Sequence, residues 1–232
     1  GYKIVEGGLG RICMNCHKSR SNAVTSVVTK YSYSTRLGPH HGPQADVFLG
    51  RNAIEYEESY KYSISGLMSH EGLENSCATC HMHASPDVYG SLGYANPGIN
   101  QMGGHTFKVK GYKSIADGMS IKTTDSTIVE HVAACASCHG PITDFGDIKA
   151  SADYDGDEVL EGVNGEIEGL LVKIESKLLT AGLTKGSNGW VTLRATSATK
   201  SDSILLASNL PVRKAFFNYT LFKEDRSLGA HN

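Results

Sequence analysis

The sequence predicts a mostly irregular fold with a few α-helices and short strands, and three observations lead to it. Residues 1–140 are rich in glycine, serine and tyrosine and show few long periodic apolar stretches, so they offer little from which to build a conventional core. Apolar stripes at helical spacing come only after this point. All six cysteines fall into three pairs at one spacing, with none left over.

The predicted elements follow from these patterns. Ile167, Leu170, Leu171, Ile174 and Leu178 keep helical spacing, and Gly182 stands where that helix would end. Trp190 to Thr196 alternates, with Val191, Leu193 and Ala195 on one face, as a short strand does. A last helix starts near Asn209 and Pro211, because Val212, Ala215, Phe216, Tyr219 and Phe222 form one apolar stripe. The chain therefore reads as residues 1–140 carrying the cysteine pairs and residues 141–232 forming a helical and hairpin region that returns His231 to the first.

Composition excludes some function classes. At 40% hydrophobic, 20% charged and a formal net charge of -2, the chain has no basic excess with which to bind nucleic acid. No apolar run approaches the roughly 20 residues needed to cross a bilayer, so no transmembrane segment is expected. The amino terminus lacks the basic-then-apolar pattern of a signal peptide, and the chain reads as mature and soluble.

The cysteine pairs are Cys13/Cys16, Cys77/Cys80 and Cys135/Cys138. Pairs at this spacing can be disulfides, redox dithiols or halves of zinc sites. Each pair, however, is followed at once by histidine: His17, His81 and His139. With 10 histidines in 232 residues, one after a given pair has odds of roughly 1 in 20, and three in a row about 1 in 10,000. Cys-x-x-Cys-His attaches c-type haem for a geometric reason: two thioethers fix the porphyrin edge and the adjacent histidine is aimed at the iron. Three covalent haem c groups are thus expected, in a multihaem cytochrome c fold whose core is dominated by haem. The motif also implies export, since thioether attachment takes place outside the cytoplasmic membrane. An extracellular or cell-surface location follows, with the periplasm as the alternative.

Seven histidines remain for the opposite iron faces: His40, His41, His70, His83, His105, His131 and His231. His40, in Gly38-Pro39-His40-His41-Gly42-Pro43, and His105, in Gly103-Gly104-His105-Thr106-Phe107, sit on tight turns that let backbone approach a flat porphyrin. The offset from His17 to His40 is 23 residues and from His81 to His105 is 24, a divergent repeat of motif, loop and distal histidine. His70, seven residues before Cys77, is a further candidate. His41, His83 and His131 are expected beside haem propionates or solvent, and the five methionines, Met14, Met68, Met82, Met102 and Met119, in packing. Asp153, Asp155 and Asp157 have the odd-numbered spacing of a calcium loop. Glu158 and Asn164 stand where its turn glycine and bidentate glutamate belong, so a calcium site and a solvated acidic turn are both open readings.

Several phrases together resemble the multihaem cytochromes of metal-reducing and syntrophic microbes: Ser19-Arg20 after the first motif, Gly38 to Asp46, Cys77-Ala78-Thr79-Cys80-His81-Met82, Gly104-His105-Thr106-Phe107, and the ending at His231-Asn232. Within that group the chain looks most like the subunits of extracellular cytochrome nanowires. The resemblance adds His231 to the axial candidates. It also implies electron transfer through bis-histidine haems in a conductive filament, with other copies of the chain and redox proteins as partners. The alternatives are a monomeric periplasmic or extracellular shuttle and an oxidoreductase with one catalytic haem. Enough histidines exist to close all three irons, so the chain is not expected to be an enzyme.

Overall fold

The computed structural model describes residues 4–29, 37–56, 70–84, 102–112, 115–116, 121–122, 128–193 and 201–231. In chain order the elements are α1 (Arg11–Cys16), α2 (Gln44–Phe48), α3 (Cys77–His81), β1 (Lys110–Tyr112), β2 (Ile115–Ala116), β3 (Ile121–Lys122), β4 (Ile128–Glu130), α4 (Ala133–His139), α5 (Val163–Thr180), β5 (Thr184–Lys185), β6 (Val191–Thr192), α6 (Ser201–Ser208) and α7 (Leu210–Asp225). The strands form two-stranded antiparallel sheets, β1 with β4, β2 with β3, and β5 with β6. The fold is partly helical, with small sheets and long irregular stretches, as the sequence predicts. Among the described residues no helix is long and apolar enough to cross a membrane.

The chain divides into two compact units, which interleave instead of following a boundary at residue 140. One is built from Cys13–Gly72 with Ala150–Asn232, the other from Ile4–Ile12 with Leu73–Lys149. The reason lies in the apolar residues of the first unit. Ala23, Val27, Leu37 and Ile54 join Leu171 and Leu178 of α5, Val191, Leu193, Leu206, and Phe216, Phe217 and Tyr219 of α7 in one buried cluster. The Asn218 side chain ties these stretches together, accepting from the Ile54 N–H and donating to the Ile54 carbonyl, both at 2.8 Å.

The ends of the long helices are those the sequence marks. Asn209 caps α7 by accepting from the Val212 N–H at 3.1 Å, and a proline stands in the first turn. Gly182, at φ 105°, closes α5: its N–H reaches the Leu179 carbonyl and the Leu183 N–H the Leu178 carbonyl. The strand forecast over Trp190 to Thr196 is Val191–Thr192 here, and Arg194, Ala195 and Thr196 lie outside the described residues.

The second unit is built differently. Ile4 and Met102 are its buried apolar side chains among the described residues, while Val5, Leu9, Ile12, Met82 and Phe107 are exposed. Its ladder of β1 and β4 is held by Lys110 opposite Glu130, ion-paired at 2.6 Å, and Glu130 also accepts from the Phe145 N–H.

Within the first unit, Tyr219 is fully buried; its hydroxyl donates to Glu175 Oε2 at 2.6 Å and accepts from the Val191 N–H at 3.2 Å. Burial, then the Glu175 hydrogen bond, pushes the phenol pKa up. The neutral phenol is thus favoured in the folded state. Its contribution is complete below about pH 10, where the unfolded tyrosine begins to ionise, and falls as the pH rises further. Tyr219→Phe should cost about 1–3 kcal/mol at neutral pH, because Glu175 and the Val191 N–H both lose a partner. Urea unfolding checks it, and the variant should lose part of the wild-type decline above pH 10.

Candidate cofactor site

The three Cys-x-x-Cys-His motifs lie on short helices or their ends. Cys13 and Cys16 are in α1 with His17 just after it, α3 runs from Cys77 to His81, and α4 ends at His139. A helix puts residues three and four apart on one face, so each turn sets two thiols and an imidazole side by side. All six cysteines are unbridged. In the second unit α3 packs against α4. Burial and the nearby Cys135, Cys77 and Cys138 thiols push Cys80 up to about 11, and burial also raises Cys135. A redox dithiol needs the opposite, a thiol whose pKa is depressed.

In the first unit the histidines gather at the C-terminal end of α7. His17 donates from Nδ1 to Gln44 Oε1 at 3.2 Å, while Gln44 Nε2 donates to the Glu224 and Asp225 carbonyls at 3.1 and 3.3 Å, which fixes the amide orientation. His41 pairs with Glu224 at 3.2 Å and its ring meets that of His40 edge-on. His70 donates from Nδ1 to the Ala230 carbonyl at 2.7 Å. His231 donates from Nδ1 to Asp225 Oδ1 at 2.6 Å. A carbonyl, amide or carboxylate oxygen can only accept, so in these rings Nδ1 carries the proton and the lone pair of the neutral imidazole is on Nε2. That is the arrangement of a metal-ligating histidine whose outer nitrogen is held by the protein.

The second unit repeats the device. His81 donates from Nδ1 to the Phe107 carbonyl at 2.7 Å. Phe107 belongs to the turn Gly104–Thr106 and its C-cap, which carries His105 exposed to solvent. This turn is pinned at its base, where the His83 carbonyl accepts from the Gly104 N–H at 3.2 Å and from His131 Nε2 at 3.1 Å. His131 is itself buried, and its Nδ1 is enclosed without a hydrogen-bond partner. Burial lowers its pKa, so the ring is neutral. Of the two surroundings expected from the sequence, haem propionates or solvent, its burial excludes solvent. His139 is exposed at the end of α4, before Gly140 at φ 73°.

Left-handed backbone concentrates here. Among described residues other than glycine, positive φ occurs at seven positions; His40 (62°), Ser76 (41°), Phe107 (56°), Arg226 (62°) and Leu228 (48°) are candidate ligands or lie within a few residues of a candidate ligand or motif cysteine, while Asn52 (64°) and Glu158 (72°) lie elsewhere. Such conformations cost of order 1–3 kcal/mol each and cluster where function fixes the chain.

The acidic stretch gathers Asp153, Asp155 and Glu166, whose ligand atoms all lie within 4.8 Å of one another. Asp157 turns away, accepting from the Val159 N–H at 2.8 Å, and Glu166, two residues beyond Asn164, supplies the third carboxylate. Glu166 also accepts from the Tyr154, Asp155 and Glu161 N–H groups. The loop comes so close to α5 that a Cβ on Gly169 would stand 1.5 Å from Asp155 Oδ2.

The residues that hold the imidazoles were less visible than the imidazoles themselves. Gln44 and Asp225 are ordinary polar residues in the sequence, and the carbonyls of Phe107 and Ala230 leave no mark there at all. No protein-family model matches the chain, and no curated protein or solved structure matches it.

Gly103 lets this turn close. At φ 69°, a Cβ there would stand 2.1 Å from the His83 carbonyl and 2.9 Å from His131 Nε2. Gly103→Ala should destabilise the second unit by roughly 2–4 kcal/mol, the sum of left-handed strain and overpacking. Native-state hydrogen exchange should show the loss of protection at the Gly104 and His131 amides and not along α5.

Proposed function

We propose that the chain is an electron-transfer protein carrying three covalent c-type haems, each iron held between two histidines. The observation that carries this reading is the second unit: two Cys-x-x-Cys-His helices in contact, few buried apolar side chains among the described residues, and apolar Leu9, Ile12, Met82 and Phe107 facing outward. Apolar side chains that face outward beside the paired helices are surface that a bound porphyrin would cover. Porphyrins bound to the four cysteines supply that cover, which makes the core of this unit haem-dominated. The raised thiol pKa values and the unbridged pairs support attachment over redox-dithiol chemistry.

His17, His81 and His139 are the proximal ligands by their motifs, and His40, His70, His105 and His231 the distal candidates. The haems supply one-electron chemistry; the chain's own part is to fix each imidazole through its outer nitrogen and keep the irons six-coordinate. A closed coordination shell favours outer-sphere electron transfer over catalysis. The resemblance to nanowire subunits makes an end-to-end extracellular filament the assembly that fits this chemistry, and a head-to-tail contact that does not close propagates as a helix. A uniform 24.8 kDa chain plus haem in gel filtration, with no filaments in negative stain, would leave the monomeric shuttle instead.

The Phe107 carbonyl ties His81 to the turn that carries His105. With haem bound, a carbonyl on the outer nitrogen of one ligating histidine would stand roughly 12 Å from the Cα of a second histidine on the same iron. From the Phe107 carbonyl, His105 Cα is at most about 10 Å away along two residues of chain. His105 therefore serves a different iron from His81, and α4, packed on α3, carries the nearest one in its unit.

A pyridine haemochrome assay with intact mass should give three haems per chain, and a count of two or fewer in fully matured protein sinks the reading. Replacing Cys77 and Cys80 by alanine should leave two haems. In that background His105→Ala should still turn one haem high-spin in electron paramagnetic resonance. Two low-spin haems would place His105 on the iron facing His81.

A further inference from the structure

Asp225 closes α7 with a buried carboxylate. Its Oδ1 accepts from His231 Nδ1 at 2.6 Å, and its Oδ2 accepts from the Ser227 N–H at 3.2 Å and from the Ser227 hydroxyl. The chain reaches this arrangement through left-handed Arg226 and Leu228 and through Gly229 at φ 91°, where a Cβ would stand 2.7 Å from the Val163 side chain. The His231 N–H returns to the Ser227 hydroxyl at 3.3 Å, so ring, hydroxyl and carboxylate form one closed set.

The outer nitrogens of His17, His70 and His81 meet uncharged acceptors, the Gln44 amide and the Ala230 and Phe107 carbonyls. His231 meets a carboxylate, which is 2% exposed, where water and salt screen it poorly. A carboxylate on the outer N–H draws that proton toward itself and leaves the other nitrogen more basic. A basic ligand and a nearby negative charge both favour the iron in its higher oxidation state.

We propose that Asp225 is a positioning residue that acts through His231 to lower the reduction potential of the iron that His231 would hold. This rests on the haem reading above. Reduction adds one electron to the ferric iron, delivered by a neighbouring haem or an external one-electron donor. The shared proton stays between Nδ1 and Oδ1. The carboxylate makes that electron harder to place on this iron than an uncharged oxygen in its place would.

Asp225→Asn keeps the shape and an acceptor oxygen but removes the charge. In a spectroelectrochemical titration of the three-haem protein, one midpoint should move upward while the other two hold and every haem stays low-spin. Asp225→Glu should bring that midpoint back. Unchanged midpoints, or a uniform shift of all three, overturn the proposal. Should the Asn variant fail to load haem, Ser227→Ala removes the hydroxyl donor from Oδ2, leaving the Ser227 N–H, and should lower the same midpoint further; no movement there also overturns it. Three haems with all of them low-spin in His231→Ala would reject Asp225's role and leave the haem reading standing. Fewer than three haems in the unaltered protein would instead strike at that reading.

Discussion

A histidine can offer a metal only the nitrogen that carries no proton, and in this protein oxygen acceptors decide which nitrogen that is. Among the described residues six rings donate from Nδ1 to an oxygen that cannot donate back, His17, His70, His81 and His231 of the candidate ligands together with His41 and His83. Much of the local backbone serves the four bonds of the candidate ligands. The end of α7 supplies the Asp225 carboxylate and the two carbonyls that orient Gln44, and the turn after it supplies the Ala230 carbonyl. Left-handed residues at Arg226, Leu228 and Phe107 aim these oxygens where a regular helix or strand would not.

The two units meet the cost of chain ordering by different means. In the first, helices α5 and α7 bring aromatic and aliphatic side chains into one cluster, and polar ties such as Asn218 to Ile54 fix the irregular stretch around it. The second has hydrogen-bonded turns and short ladders, and His83, Gly103, Gly104 and His131 interlock through backbone more than through apolar contact. Such a framework gives specificity of shape with little hydrophobic stabilisation of its own.

The helices after residue 160 were legible because their stripes, the Asn209 cap and the Gly182 stop are local signals that the fold keeps. The attachment motifs were legible for the same reason, being contained within five residues each. Two features were not. The grouping of Cys13–Gly72 with the C-terminal stretch depends on contacts such as Ile54 with Asn218, 164 residues apart, for which no spacing rule exists. The metal-capable acidic group drew its third member, Glu166, from the first turn of α5; a loop template that counts along the chain looks at position 164 instead.

The chemistry that would distinguish one iron from another is equally local. Whether an imidazole donates to a carbonyl or to a carboxylate is settled inside one unit: His81 donates to the Phe107 carbonyl, and His231 to Asp225, six residues before it. An order of potentials written this way survives any arrangement of the two units, because each acceptor is fixed by its own unit's backbone. Contact between α3 and α4 similarly puts two attachment sites side by side using only the second unit's packing. On the proposed reading, conduction would need both properties, closeness and a defined order of potentials, and short segments of this chain would supply each of them independently.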